Sequence, residues 1–308
     1  KYASKYARVS NYWKYFIGQT KQLKKNHVFE KKQEIEKSYS DWVNAMDDRQ
    51  AEYGEALSLI EKGYEKQKPY VLSSTYFYEA VVGSEILLFS YRANGLQKAL
   101  AMGEPDPKKV DKLIQGLKGR SAKHFKDYDM ATDKEVTAAM LEMYYNDLPK
   151  DQQPQYFLDL VKKNKGDFTK LTEGLFENSI FASEEKMNEF FVSSKQLKTL
   201  EKDPARKLMG ALYAKYREIM GGEYKESFDL LDKGNRLFVK GLREMNPNKK
   251  YAPNANSTMR LTYGQVLPYA PYDAVSYDFK STLKGVMEKK DNTNPEFVVP
   301  QKLVDLYN

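Results

Sequence analysis

The segment DPARKLMGALYAKYREIMGG, residues 203 to 222, decides the class of fold. Asp203 stands where a side-chain oxygen caps the unpaired N–H groups of a helix start, and Pro204 fills the first helical position, where its missing N–H costs nothing. Before the Gly221-Gly222 stop, Leu208, Leu212, Tyr216 and Ile219 line one buried side. A further helix follows from Glu223 to Met245. Toward the N-terminus, Tyr2 to about Lys68 has almost no Pro and few Gly, with apolar residues at helical spacing, which predicts one or two long helices. Trp42, Met46, Tyr53, Leu57 and Ile60 form one face of that run, and Pro69 ends it by disfavouring helical geometry in the residue before it. A second long helix is expected from Ser74 to about Met102, closed by Gly103 and the turn Glu104-Pro105-Asp106-Pro107. Thr132 and Glu135 read as a capping box opening a helix to Leu148.

After Pro247 the composition changes. Residues 257 to 266 and Ala274 to Tyr277 are rich in strand formers. Two or three strands are marginal unless they pack on something, so these are expected to belong to a sheet whose remainder lies elsewhere. The expected fold is mainly α: a multi-helix domain over residues 1–250 and a short β tail over 251–308. No internal repeat or low-complexity segment interrupts it.

At 308 residues the chain is long enough for one large core or two modest ones. Its 24 Tyr and 15 Phe argue against disorder. Fifty basic against 43 acidic residues give +7, with the signs interspersed, so the basic stripe of a nucleic-acid binder is not expected. No run of 18 apolar residues exists, and the greasiest segment, Val81 to Phe89, is interrupted by Gly83 and Glu85, so no membrane span is expected. The absence of cysteine removes disulfides, thiol nucleophiles and thiolate metal sites and leaves the redox compartment undecided. The chain opens at Lys1 without a Met, inside what reads as a polar helix, so a leader removed in maturation and a leader lying upstream both stay open.

Chemistry is scarce. His27 and His124 each lack a second metal-ligating neighbour at ligand spacing and read as surface or helix-capping residues. There is no Gly-x-Ser-x-Gly elbow, phosphate loop or dinucleotide fingerprint, so no cofactor is implied. The acidic pairs Asp47-Asp48 and Glu184-Glu185 are of a kind that helix surfaces carry routinely, and the many tyrosines at helical spacing read as core and rim. The chain itself offers no catalytic residue and no metal ligand set.

Two stretches are more specific. KYASKYARVSNYWK (residues 1–14) and NANSTMRLTYGQV (254–266), the latter continued by STLKGVMEK (281–289), resemble the bacterial dipeptidyl peptidases of the seven and eleven types. Phe125-Lys-Asp-Tyr128 and Leu141-Glu-Met-Tyr-Tyr145 resemble them as well. These are chymotrypsin-like serine exopeptidases that release dipeptides from peptide N-termini. The resemblance implies that this chain is the helical domain inserted into a catalytic double β-barrel, with the first returning barrel strands. It further implies that the Ser-His-Asp triad lies outside it, leaving the chain inactive alone. Partners implied are the N-terminus of a peptide substrate, the catalytic barrel of the same parent and a second copy in a homodimer, in the periplasm or cell envelope. It assigns Asn11, in Ser10-Asn11-Tyr12-Trp13, to recognition of the substrate's free α-amino group, and leaves Trp13 to packing. The competing expectation is a freestanding helical interaction module, whose tail strands would be self-paired and whose apolar faces would be covered.

Overall fold

The computed structural model describes residues 2–251, 257, 259 and 261–308, with the side chains of residues 2–5 outside the description. The chain divides into two compact units, Lys1–Lys249 and Lys250–Asn308. The fold is mainly α.

The first unit opens with α1 (Tyr2–Lys25), α2 (Val28–Asn44), α3 (Asp47–Tyr53) and α4 (Ala56–Tyr76), where one or two helices were expected. His27, in the left-handed region at φ 49°, separates α1 from α2. Extended backbone at Met46 separates α2 from α3, which leaves Met46 exposed although its spacing placed it on the buried face. Tyr53 on that face is buried, and Trp42, Leu57 and Ile60 are half-buried. Pro69 does not end the run; it lies inside α4. A proline inside a helix forfeits one backbone hydrogen bond. The carbonyl deprived of a donor is that of Glu65; Gln152 Nε2 donates instead to the Pro69 carbonyl at 3.1 Å and accepts from Ser73 Oγ at its Oε1, which ties the next turn of the helix to a distant side chain.

The expected helix from Ser74 to Met102 is broken. A π-turn occupies Phe77–Val81, the chain leaves helical pairing near Gly83 and Ser84, and α5 (Glu85–Tyr91) and α6 (Asn94–Leu100) follow. The cause is a carboxylate from another helix. Asp133 accepts the N–H groups of Glu85 at 2.8 Å and Ile86 at 2.9 Å, and the Tyr128 hydroxyl at 2.9 Å. Ser84 Oγ and Thr137 Oγ1 share a hydrogen bond of 2.7 Å beside it. A new helix start supplied with acceptors competes well against continuing the old one.

Asp106 caps α7 (Pro107–Phe125) through Lys108 N. In α8 (Met130–Asp147) the capping box at Thr132 and Glu135 is corrected: Asp129 is the cap, and Thr132 N donates to it at 2.9 Å from inside the first turn. Next come α9 (Gln155–Lys163), α10 (Phe168–Asn178), α11 (Glu184–Val192) and α12 (Gln196–Lys202). The decisive segment is α13 (Pro204–Gly221), capped by Asp203 through Arg206 N at 2.9 Å, and α14 (Glu223–Met245) follows. Leu208 and Leu212 are buried; Tyr216 and Ile219 are half-buried.

Helices α5 to α13 enclose the main core, with Ile86, Leu117, Phe157, Phe181, Leu200 and Leu208 essentially inaccessible. A smaller cluster of Tyr39, Val43, Tyr53 and Ala56 packs against Trp42, Leu237 and Phe238. Between the two, α4 and α14 run antiparallel, since Gly63 faces Ser227 and Leu231 while Gly234 faces Ala56 and Ile60. A Cβ on Gly234 would lie 2.8 Å from Ile60 Cγ1 and 2.9 Å from the Ala56 carbonyl, so the close approach requires glycine there. Ion pairs Lys66–Glu226 at 3.1 Å and Lys233–Glu55 at 2.5 Å flank the seam.

The second unit holds an antiparallel hairpin, β1 (Tyr269–Tyr272) and β2 (Val275–Tyr277), with Tyr269 opposite Tyr277 and Ala274 turning at φ 59°. The expected strand at 274–277 is present. That at 257–266 is not: its described members, 257, 259 and 261–266, take no strand. Residues 254–256, 258 and 260 of NANSTMRLTYGQV lie outside the described residues. Short helices α15 (Leu283–Glu288) and α16 (Gln301–Tyr307) complete the unit, α15 falling where STLKGVMEK stands.

Candidate functional site

At ~100° per residue, a helix of 3.6 residues per turn sorts α1 into two faces. Tyr6, Val9, Trp13, Phe16 and Ile17 make an apolar stripe, of which Trp13 is 63% and Phe16 62% exposed. Asn11 sits about 160° round from Trp13, on the other side of the helix. Its exposed amide makes no side-chain hydrogen bond among the described residues. One amide oxygen is a competent acceptor for an ammonium, which needs two or three in all. Helix α1 contains no Asp or Glu to supply the others.

The other candidates resolve into structure. His27 is exposed and 3.8 Å from Glu30. His124, expected at the surface or at a cap, is instead half-buried among Phe89, Phe125 and Tyr128, with ring centroids at 4.4 Å, 4.8 Å and 4.4 Å. Asp47-Asp48 and Glu184-Glu185 occupy first turns, where negative charge complements the helix dipole. Among the described residues no group of three His, Cys, Asp or Glu could hold a metal, and no helix is long and apolar enough to cross a membrane.

Two buried carboxylates have distant partners that the sequence does not signal. Burial pushes Asp133 above the usual carboxylate range, against the pull of its three donors. Asp203 is raised for the same reason and accepts from Ile180 N at 2.8 Å, Arg206 N at 2.9 Å and Ser179 Oγ at 3.0 Å. Each ties one helix start to a second segment. A shallow cleft of about 620 Å³ on α4 is lined by Tyr64, Lys68, Val71, Leu72 and Thr75. Another of about 460 Å³ between α8 and α10 has Ala138, Ala139 and Phe168 below Glu135, Glu142 and Asp167. Neither cleft is lined by Asn11, Asp133 or Asp203.

The described chain is thus a helical scaffold with an exposed polar helix face and no assembled nucleophile and base. Its sequence matches the peptidase S46 family over residues 1–308. The chain belongs to peptidase S46. Among S46 relatives, dipeptidyl-peptidase 7 of Phocaeicola vulgatus is 38% identical over 307 residues, which are 99% of this chain and 42% of the relative. The Asp/Glu-specific dipeptidyl-peptidase of Flavobacterium psychrophilum is 32% identical over 311 residues, again 42% of its length. The crystal structure of Porphyromonas endodontalis DPP11 in complex with the dipeptide Arg-Glu superposes with a TM-score of 0.72 at 28% identity, covering 89% of this chain and 39% of that one. The chain therefore spans about two fifths of the length of the S46 relatives it matches.

Proposed function

We propose that this chain is the helical lid region of a serine dipeptidyl peptidase, and that Asn11 binds the free α-amino group of the substrate. The observation that carries the reading is the S46 match along the whole chain combined with coverage of only 42% of a relative's length. Exposed apolar surface supports it. The stripe on α1 is uncovered, and in the second unit Met259, Leu261, Tyr263 and Val266 are 95%, 80%, 94% and 75% exposed. A lone two-stranded hairpin is marginal in water, and these residues have the character of surface normally covered by more protein. A freestanding interaction module would self-pair its tail strands, as β1 and β2 do, but would also be expected to cover that face.

In this reading the nucleophile and its base are carried by other parts of the parent, and the lid closes over the cleft, excluding water and longer N-terminal extensions. Asn11 contributes an acceptor to the ammonium. Hydrogen bonds to charged groups are worth ~1.5–3 kcal/mol, so Asn11→Ala in the full-length parent is expected to lower kcat/KM on dipeptidyl fluorogenic substrates by roughly 10–100-fold. Unchanged turnover would remove Asn11 from the site. The isolated chain is expected to be inactive on the same substrates; turnover by it would overturn the lid reading. An envelope location goes with the reading and is tested by fractionating cells that make the parent.

A further inference from the structure

In a chain with 43 acidic residues, α1 has none along its 24 positions. Its cations are not spread evenly around the helix. Of its six cations, Arg8, Lys14, Lys21 and Lys25, all exposed, fall within about 80° of Asn11, while Lys5 lies about 120° away and Lys24 about 140° away, in line with the apolar stripe. The row is invisible to a search for charge runs along the sequence, because successive members are four to seven positions apart. With 1.5 Å of rise per residue, Lys21 stands ~15 Å and Lys25 ~21 Å beyond Asn11 along one face.

We propose that this face is a track for acidic peptides, with Lys21 and Lys25 pairing with carboxylates at about the fifth to seventh residue of a substrate whose N-terminus is held at Asn11. The inference rests on the amine-binding reading of Asn11 and goes beyond it. An extended peptide advances ~3.3 Å per residue, so 15 to 21 Å is the distance from its first residue to its fifth, sixth or seventh. Cations at that distance act well beyond the released dipeptide. They also offer nothing to the ammonium, which Arg8 and Lys14 repel, so the face discriminates by residues further along the peptide. Cationic surfaces of this kind raise the local concentration and association rate of anionic ligands, and the effect falls with ionic strength.

The test uses the full-length parent and two octapeptides that share their first four residues and carry either glutamate or glutamine at positions five to seven. At low salt the ratio of kcat/KM, glutamate over glutamine, is expected to be about three- to tenfold, since exposed pairs are individually weak. It should approach one at 1 M salt, where the screening length is ~3 Å. The double variant Lys21→Glu/Lys25→Glu should invert the ratio, while Leu23→Glu, at the same height, 54% exposed and about 160° round from both lysines, should keep it. A ratio near one in the unaltered enzyme overturns the track. So does a ratio that Leu23→Glu changes as much as the double variant does, or competition by a DNA duplex that matches the acidic peptide at equal charge. Asn11→Ala on a dipeptidyl reporter reads the amine site separately, so the two failures are distinguishable.

Discussion

Replacing Asp133 with alanine removes the acceptor for three donors at once: Glu85 N, Ile86 N and the Tyr128 hydroxyl. Asp133 is 2% exposed, so water does not readily take its place. A buried donor left without a partner costs ~1–3 kcal/mol. Two effects reduce the sum: Glu85 and Tyr128 are only part-buried, and the mutation removes a carboxylate that burial had already penalised. The expected net loss is about 2–4 kcal/mol. Asp133→Asn keeps one acceptor oxygen but turns an amide N–H₂ toward backbone donors, and should lose about half as much. Urea unfolding of the chain followed by far-UV circular dichroism at pH 7 measures both. A loss below ~1 kcal/mol for Asp133→Ala would mean that the break before α5 is held by something else. The same carboxylate carries a pH signature. Its folded pKa lies above the unfolded value near 3.8, so the folded state takes up the proton first. That contribution is fully present below the unfolded pKa and is lost as pH rises through the folded one. On acidification through that window the unaltered protein should therefore gain stability relative to Asp133→Asn; a gap independent of pH would refute the raised pKa.

Gly234→Ala drives a methyl group against Ile60 and the Ala56 carbonyl and should destabilise by about 1–3 kcal/mol in the same urea assay. Asp129→Ala should cost ~1 kcal/mol and Thr132→Ala well under half of that, the reverse of what a capping box at Thr132 demands. Arg206, 8% exposed, donates from its guanidinium to Asn94 Oδ1 at 2.5 Å and leaves Nε without a partner among the described residues. Because a buried cation so poorly paired pays desolvation without full return, Arg206→Met should be neutral or mildly stabilising by thermal unfolding.

The elements legible in the sequence were those whose signals are local. Asp203-Pro204 and Gly221-Gly222 bracket α13 with chemistry that acts within one turn, and α14 has the bounds read for it. The errors share the opposite property. The break before α5 depends on Asp133 and Thr137, some 48 to 53 positions away, and Pro69 stays helical with Gln152 bonded to its carbonyl, 83 positions on. Periodicity cannot register partners at such separations. Thr132 has the spacing of a cap, yet Asp129, three residues earlier, offers an equally good oxygen and takes the role. The candidate site was less legible than the fold. Asn11 came from resemblance alone, and its cationic surroundings appear only when α1 is viewed in projection.

The antiparallel seam of α4 and α14 bears on how such a protein could have arisen. The chain reaches α5 through one helix and leaves α13 through its neighbour, and Tyr70 and Glu223 are joined across the two by a 3.3 Å hydrogen bond. Packed helices lie ~8–10 Å apart, so the chain enters and leaves the segment between residues 77 and 222 through two neighbouring helices, one of which Gln152 of that segment also grips at Pro69 and Ser73. A gene segment encoding it could be gained or lost by a host with almost no cost in chain closure. Joining Tyr70 to Glu223 through a short turn should leave a plain helical hairpin of α4 and α14.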